Sequence, residues 1–287
     1  MKTGAIKHLC QLRDDELFQV VSEGLGHVLE VVNRLVRSAR RLPGYGKFCT
    51  RSIHSHAVHI LGSIAEEEAS KFFILMDFVR CPPSLGTERG RQLEYYYDHL
   101  PKGIYAEYCG WRPANFQEVE RGIDQLREEY YLDGPMDVDW IFYNQILSQR
   151  VGKFYVDYVK EDEGKCYWQY PRPPDFIIGY NTGAVIQTAN ALHQVGLTTP
   201  DGLSVMAEIW RKIEITSDLT SGELEKYNQR TLEALENKSL LKETTGETLT
   251  NVVQRWLFPL YPLDLKVKKI EKPELREIQE RGCPNCD

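Results

Sequence analysis

The sequence predicts a mainly α-helical protein that carries one β-hairpin in its C-terminal half. Apolar residues recur at steps of three and four over most of the chain, the spacing that lines one face of a helix. The period falls to two only near residues 154–170, and Asn or Thr stands before several periodic stretches as a helix N-cap.

Element by element, Leu17, Val21, Leu25, Val28, Val32, Leu35, Ala39 and Leu42 form the stripe of a long first helix that Pro43 and Gly44 end. Arg34, Arg37 and Arg41 share its opposite face, which is either a solvated face or a phosphate-binding patch. A second helix is expected from about Thr50 to Arg80, with a stripe of Ala57, Leu61, Ile64, Glu68, Lys71 or Phe72, Leu75 and Val79. Glu68 and Lys71 interrupt an apolar face, so each needs a partner, because an unpaired buried ion costs several kcal/mol. Glu67 and Lys71 stand four apart in the favourable order, acid first.

Pro82 and Pro83 break that helix, and a third begins near Thr87 and meets Pro101, which places His99 and Leu100 at a kink and Lys102 in the next turn. Asn115 with Glu118 caps a helix carrying Phe116, Val119, Ile123, Leu126 and Tyr130. Asp133, Gly134 and Pro135 mark a boundary, so residues 1–134 form one helical unit and 135–262 a second. Within the second, a short helix around Trp140–Leu147 precedes a hairpin at about 151–170. Helices return from Ile178 to Val195, from Pro200 through Ile213, after the Thr220/Glu223 capping box, and over Thr248–Trp256. Residues 263–287 alternate lysine and glutamate and are expected to be a mobile tail.

Composition narrows the function classes. The 287 residues are 42% hydrophobic and 27% charged, ordinary for a globular chain, and no apolar run approaches the ~20 residues that span a bilayer. With no export signal, a cytoplasmic location is the expectation. Cysteines at 10, 49, 81, 109, 166, 283 and 286 are expected as reduced thiols, and the Cys283/Cys286 pair alone lacks two of the four ligands of a zinc site. Residues 1–51 hold nine Lys or Arg against five Asp or Glu, net +4, whereas the remainder holds 26 against 37, net −11. An acidic chain with a basic N-terminal end is unlike a duplex-DNA binder but compatible with a local RNA contact. Phosphate loops, dinucleotide fingerprints, nucleophile elbows and zinc-protease helices are absent, so no cofactor or metal is expected.

The candidate chemistry lies within residues 51–105. The run Ile64-Ala65-Glu66-Glu67-Glu68-Ala69-Ser70-Lys71, then Asp77-Phe78-Val79-Arg80-Cys81-Pro82, then Asp98-His99-Leu100-Pro101-Lys102 resembles the AbiV family of abortive-infection proteins, a branch of the HEPN superfamily. The resemblance covers residues ~30–110 and implies an up-and-down helical bundle, frequent homodimerisation and a role in bacterial anti-phage defence. It also implies metal-independent endoribonuclease chemistry by an arginine and a nearby histidine, a spacing met by Arg51 and His56 with four residues between them.

That chemistry needs groups to move protons and a cation for the phosphorane charge. Histidine titrates near neutrality. The candidates are His56 or His99 for proton transfer, Arg51 or Lys102 for the phosphate, and Glu67 or Glu68 to orient a histidine or pair with Lys71. Arg34, Arg37, Arg41 and Tyr105 are candidate RNA contacts, and a phage protein is the expected trigger. The alternative is a non-catalytic helical protein that binds a phage or host protein, with the hairpin as its arm.

Overall fold

The computed structural model describes residues 2–42, 55–133, 139–142, 144–160, 166–169, 182–271 and 273. It is mainly α-helical. A short α1 (Lys2–Lys7) precedes α2 (Asp14–Arg41), whose first turn holds Asp14, Asp15 and Glu16 and whose last holds Arg40 and Arg41. Each charge set opposes the partial charge of its helix end. The expected stripe is buried from Leu17 to Ala39, except that Val36 rather than Leu35 fills the last turns.

The centre of the molecule is α3 (Ser55–Arg80), against which α2, α4 (Gly86–Glu94) and α5 (His99–Tyr108) pack. One stripe was expected of it, but every residue from Phe72 to Cys81 is buried. A helix enclosed by neighbours is apolar all round, so its period carries no face information there. Nearer its start the buried line is Val58, Ala65, Ala69 and Phe72, leaving Ile64 36% exposed. The break before α5 falls earlier than Pro101: Asp98 is the N-cap, its carboxylate accepting from the Leu100 N–H at 3.2 Å. Pro101 sits in the first turn, where a missing N–H leaves no intrahelical bond unmade.

Asn115 caps α6 (Phe116–Arg127) by accepting from the Glu118 N–H at 3.0 Å. Tyr130 then belongs to strand β1 (Glu128–Asp133), not to the helix, and pairs antiparallel with β2 (Asp139–Phe142), where a helix was expected. Helix α7 (Gln145–Phe154) starts later and runs further than its sequence signal. The predicted hairpin is present as β3 (Asp157–Lys160) and β4 (Cys166–Gln169), with Tyr158 opposite Trp168.

The remainder is helical: α8 (Ala184–Gln194), α9 (Pro200–Trp210), α10 (Ser221–Asn237) with the Thr220/Glu223 capping box, and α11 (Gly246–Arg255). Gly196 ends α8 at φ +92°, a conformation in which a side chain is strained. The segment from residue 263 onward departs from expectation through residue 271. Leu265 and Ile270 are buried, Tyr95 Oη accepts from the Leu265 N–H at 2.9 Å, and β5 (Lys268–Ile270) pairs parallel with β1. Cys283 and Cys286 lie outside the described residues.

One apolar core runs from Leu17 to Leu265 and so crosses the sequence boundary near Gly134, with α8 and α9 both packing on α3. Among the described residues, no helix is long and apolar enough to cross a membrane.

Candidate functional site

Three helices converge on one carboxylate. α3 presents Glu67, α5 presents His99 and Lys102 one turn apart, and α7 presents Arg150. Arg150 Nε donates to Glu67 Oε1 at 2.6 Å, while Oε2 lies 3.0 Å from His99 Nδ1 and 3.6 Å from Lys102 Nζ. Lys102 Nζ is also 3.3 Å from His99 Nδ1. This Nδ1 can donate to Glu67 or accept from Lys102, but a neutral ring cannot do both. In the first arrangement Nε2 keeps its lone pair and can act as a base; in the second Nε2 carries the proton and can only donate a hydrogen bond. His99 is 46% exposed at its side chain, so its ring is open to solvent.

A glycine allows this approach: a Cβ at Gly103 would collide with Ile146 Cγ2, so glycine lets α7 close on α5. A Cβ at Gly183 would meet only the carboxylate end of Glu66, a flexible side chain that can turn away. Asn144 fixes the other end of α7, accepting from the Ile146 N–H at 3.0 Å and donating to Leu126 O at 2.6 Å. Between the helices lies a hollow of about 300 Å³ that Glu66, Glu67, His99, Arg150 and Lys153 face.

Burial by itself would raise the Glu67 carboxyl, but hydrogen bonds from Arg150 and His99, with the charges of Arg150 and Lys102, outweigh it and hold the group below the usual carboxylate range. Burial pulls the Lys102 ammonium below its ordinary value, against the opposing pull of Glu67. Lys102 is only 6% exposed at its side chain, which places it behind His99 and not against a bound phosphate. The cations that do face the hollow are Arg150 and Lys153.

The other sequence candidates separate from this cluster. Lys71 bonds Glu68 at 2.7 and 2.9 Å, not Glu67, and its ammonium lies 5.3 Å from the Tyr96 ring. Glu68 and Lys71 are thus beside the hollow without facing it. His56 is eleven residues from Glu67 along α3, roughly 16 Å at the helical rise, and is not among the side chains that face the hollow. Its neighbour is His59, whose pKa is lowered by burial, by Lys153 and by His56. Arg51 lies outside the described residues.

Arg34, Arg37 and Arg41 are exposed on α2 as expected. Arg34 pairs with Glu30, and Arg37 Nε donates to Asn33 O at 3.1 Å. Tyr105 is 2% exposed and cannot stack a base: its hydroxyl donates to Asp77 Oδ2 at 2.5 Å inside the core. Asp77 also accepts from the Leu260 N–H at 2.7 Å and from Arg80, whose guanidinium lies 4.6 and 4.8 Å from the rings of Trp210 and Trp256. This buried network ties α3, α5 and the chain after α11 together.

Two participants were not among the candidate site residues of the sequence reading. Arg150 lies beyond the expected end of its helix, and the signal that could have found it is the helical step from Ile146 and Leu147 to Arg150 and Phe154. The Asp77–Arg80 pair was marked only by two charges inside an otherwise apolar run. Among the described residues, no group of three His, Cys, Asp or Glu side chains is placed to hold a metal ion. Comparisons with protein families, with curated proteins and with solved structures found no match to this chain.

Proposed function

We propose that the chain is an anti-phage effector that binds and cleaves RNA at the hollow between α3, α5 and α7. The observation that carries this reading is His99 held against Glu67 at 3.0 Å, with Arg150 and Lys153 facing the same hollow. His99 moves the proton, drawing it from a 2′-hydroxyl through Nε2 when Nδ1–H points to Glu67; the 2′-oxygen bonds to the adjacent phosphorus, the P–O5′ bond breaks, and the 5′-oxygen takes its proton from water. Arg150 and Lys153 hold the phosphate and the charge that develops on it. Glu67 and Lys102 are positioning residues, since each acts through the imidazole. Arg34, Arg37 and Arg41 add positive charge on α2 for the rest of the strand.

The test is incubation of the purified protein with mixed single-stranded and structured RNA in chelator. Cleavage by the parent that falls at least about a hundredfold in His99→Ala is expected, in line with the contribution of a general acid–base group. His56→Ala is expected to cleave like the parent. Intact RNA with a well-folded parent, or equal cleavage by His99→Ala, contradicts the reading.

A second reading has its own observation. Trp168 is 62% exposed, Val156 60% and Tyr155 52%, all at or beside the β3–β4 hairpin, which suits an arm that binds a phage or host protein. Under that reading, function survives His99→Ala and is lost when Tyr155, Val156 and Trp168 become serine.

A further inference from the structure

His99 belongs to two hollows. Besides the one it shares with Arg150 and Lys153, its ring borders a second, of about 410 Å³, lined by Glu94, Tyr95, Tyr97, Asp98 and Lys266. A strand whose reacting phosphate lies at His99 can therefore place a neighbouring nucleotide over this second hollow. Both hollows mix the two signs of charge: Arg150 and Lys153 face the first beside Glu66, Glu67 and Glu107, and Lys266 lines the second beside Glu94 and Asp98. Glu94 is already matched, at 2.7 Å by Lys7 and at 3.2 Å by Lys266. Asp98 gives Oδ1 to the Leu100 N–H and, as a carboxylate, retains further lone pairs. With Glu94 so matched, the acceptor this surface leaves open is Asp98, which suits a flat group that donates hydrogen bonds.

The flat wall is Tyr97. It is 39% exposed, large for an aromatic side chain, and is held edge-on by Tyr96 with ring centroids 5.2 Å apart. An exposed ring fixed by its neighbour is a platform on which an unpaired base stacks at little entropic cost. We propose that this second hollow is a nucleobase subsite, with Tyr97 stacking the base next to the scissile phosphate and Asp98 accepting from its donor edge. Guanine fits best, because its adjacent N1–H and exocyclic N–H match the paired acceptors of a carboxylate; uracil offers one N–H between two carbonyls that Asp98 repels. The inference rests on the RNA reading above and adds to it which base the site prefers.

The probe is a trinucleotide with 2′-O-methyl groups on every sugar, which cannot react through a 2′-hydroxyl, carrying guanine, hypoxanthine or uracil at its centre. Binding is followed by fluorescence anisotropy on the full chain, with cleavage of the matching unmodified RNAs run in parallel. The expected order is guanine, then hypoxanthine, then uracil. Tyr97→Ala should weaken the guanine probe at least about fivefold, the low end for one lost base–aromatic stack. Tyr97→Phe, which keeps the ring, should bind within about twofold of the parent. Asp98→Ala would also uncap α5, so Asp98→Asn serves instead: it retains a cap and should flatten the base preference.

Equal binding of all three probes, no binding by the parent, or a folded Tyr97→Ala that binds like the parent overturns the subsite. A parent that cleaves RNA without base preference overturns the subsite and leaves the nuclease reading standing. A parent that binds guanine through Tyr97 but cuts nothing supports the subsite and removes the nuclease reading.

Discussion

Replacing Glu67 by glutamine leaves three cationic or protonatable groups, Arg150, Lys102 and His99, around a neutral amide. Removing one partner of a buried pair costs ~3–5 kcal/mol, and because the Glu67 side chain keeps 17% of its exposure the expected loss is lower, about 2–3 kcal/mol. For 287 residues the unfolding entropy is roughly 0.6 kcal/mol/K, so Tm should fall by about 3–5 °C at pH 7. The sign of the pH dependence follows from the depressed Glu67 carboxyl. Its stabilisation is present above the ordinary value of 4.5 and is lost as pH falls through the lowered folded value, so the gap between parent and variant narrows below 4.5. Thermal unfolding followed by circular dichroism across that pH range measures both. A Glu67→Gln protein as stable as the parent at pH 7, or a gap that widens on acidification, would show that the carboxylate does not organise the three helices.

Gly103→Ala should force α7 away from α5, with an overpacking cost of about 1–3 kcal/mol and loss of any RNA cleavage, read by denaturant titration beside the RNA assay. Tyr105→Phe deletes a buried donor to Asp77 and should cost about 1–3 kcal/mol, whereas Asp77→Ala, which leaves Arg80 buried and unpaired, should cost about 3–5 kcal/mol; urea midpoints rank the two. Burial pushes the Cys81 thiol up to about 12 and raises Cys109 as well, so brief alkylation near neutral pH followed by peptide mapping should label exposed Cys10 and spare both.

The helices α2, α6, α9 and α10 were legible because each has one buried face, and one-sided burial writes itself into sequence as a period; α6, α9 and α10 add an N-terminal signal. The enclosed half of α3 was not, since a segment buried on every side has no polar face to mark its phase. β1, β2 and β5 were hidden for another reason. β1 and β2 lie where helical apolar spacing continues, through Tyr130 and from Trp140 to Leu147, and the three-residue β5 pairs in parallel with a strand about 140 residues away. Glu67, His99 and Lys102 were visible as charged residues at helical spacing. Their meeting with Arg150 was not, because it depends on Gly103 admitting α7, and closeness of approach leaves no pattern along the chain. Tyr105 and Lys102 were both read as RNA-facing, although burial turns one toward Asp77 and the other toward Glu67.

The central claim is that His99, oriented by Glu67, transfers the proton of a 2′-hydroxyl. It is tested most directly by giving the purified protein, in chelator, one RNA oligonucleotide and its counterpart with a single 2′-deoxy sugar at the mapped cleavage position. The account predicts cleavage of the first to a 2′,3′-cyclic phosphate end, no cleavage of the second at that position, and loss of both products in His99→Ala. Cleavage of the deoxy strand at the same bond, or an unchanged cyclic product from His99→Ala, would contradict it.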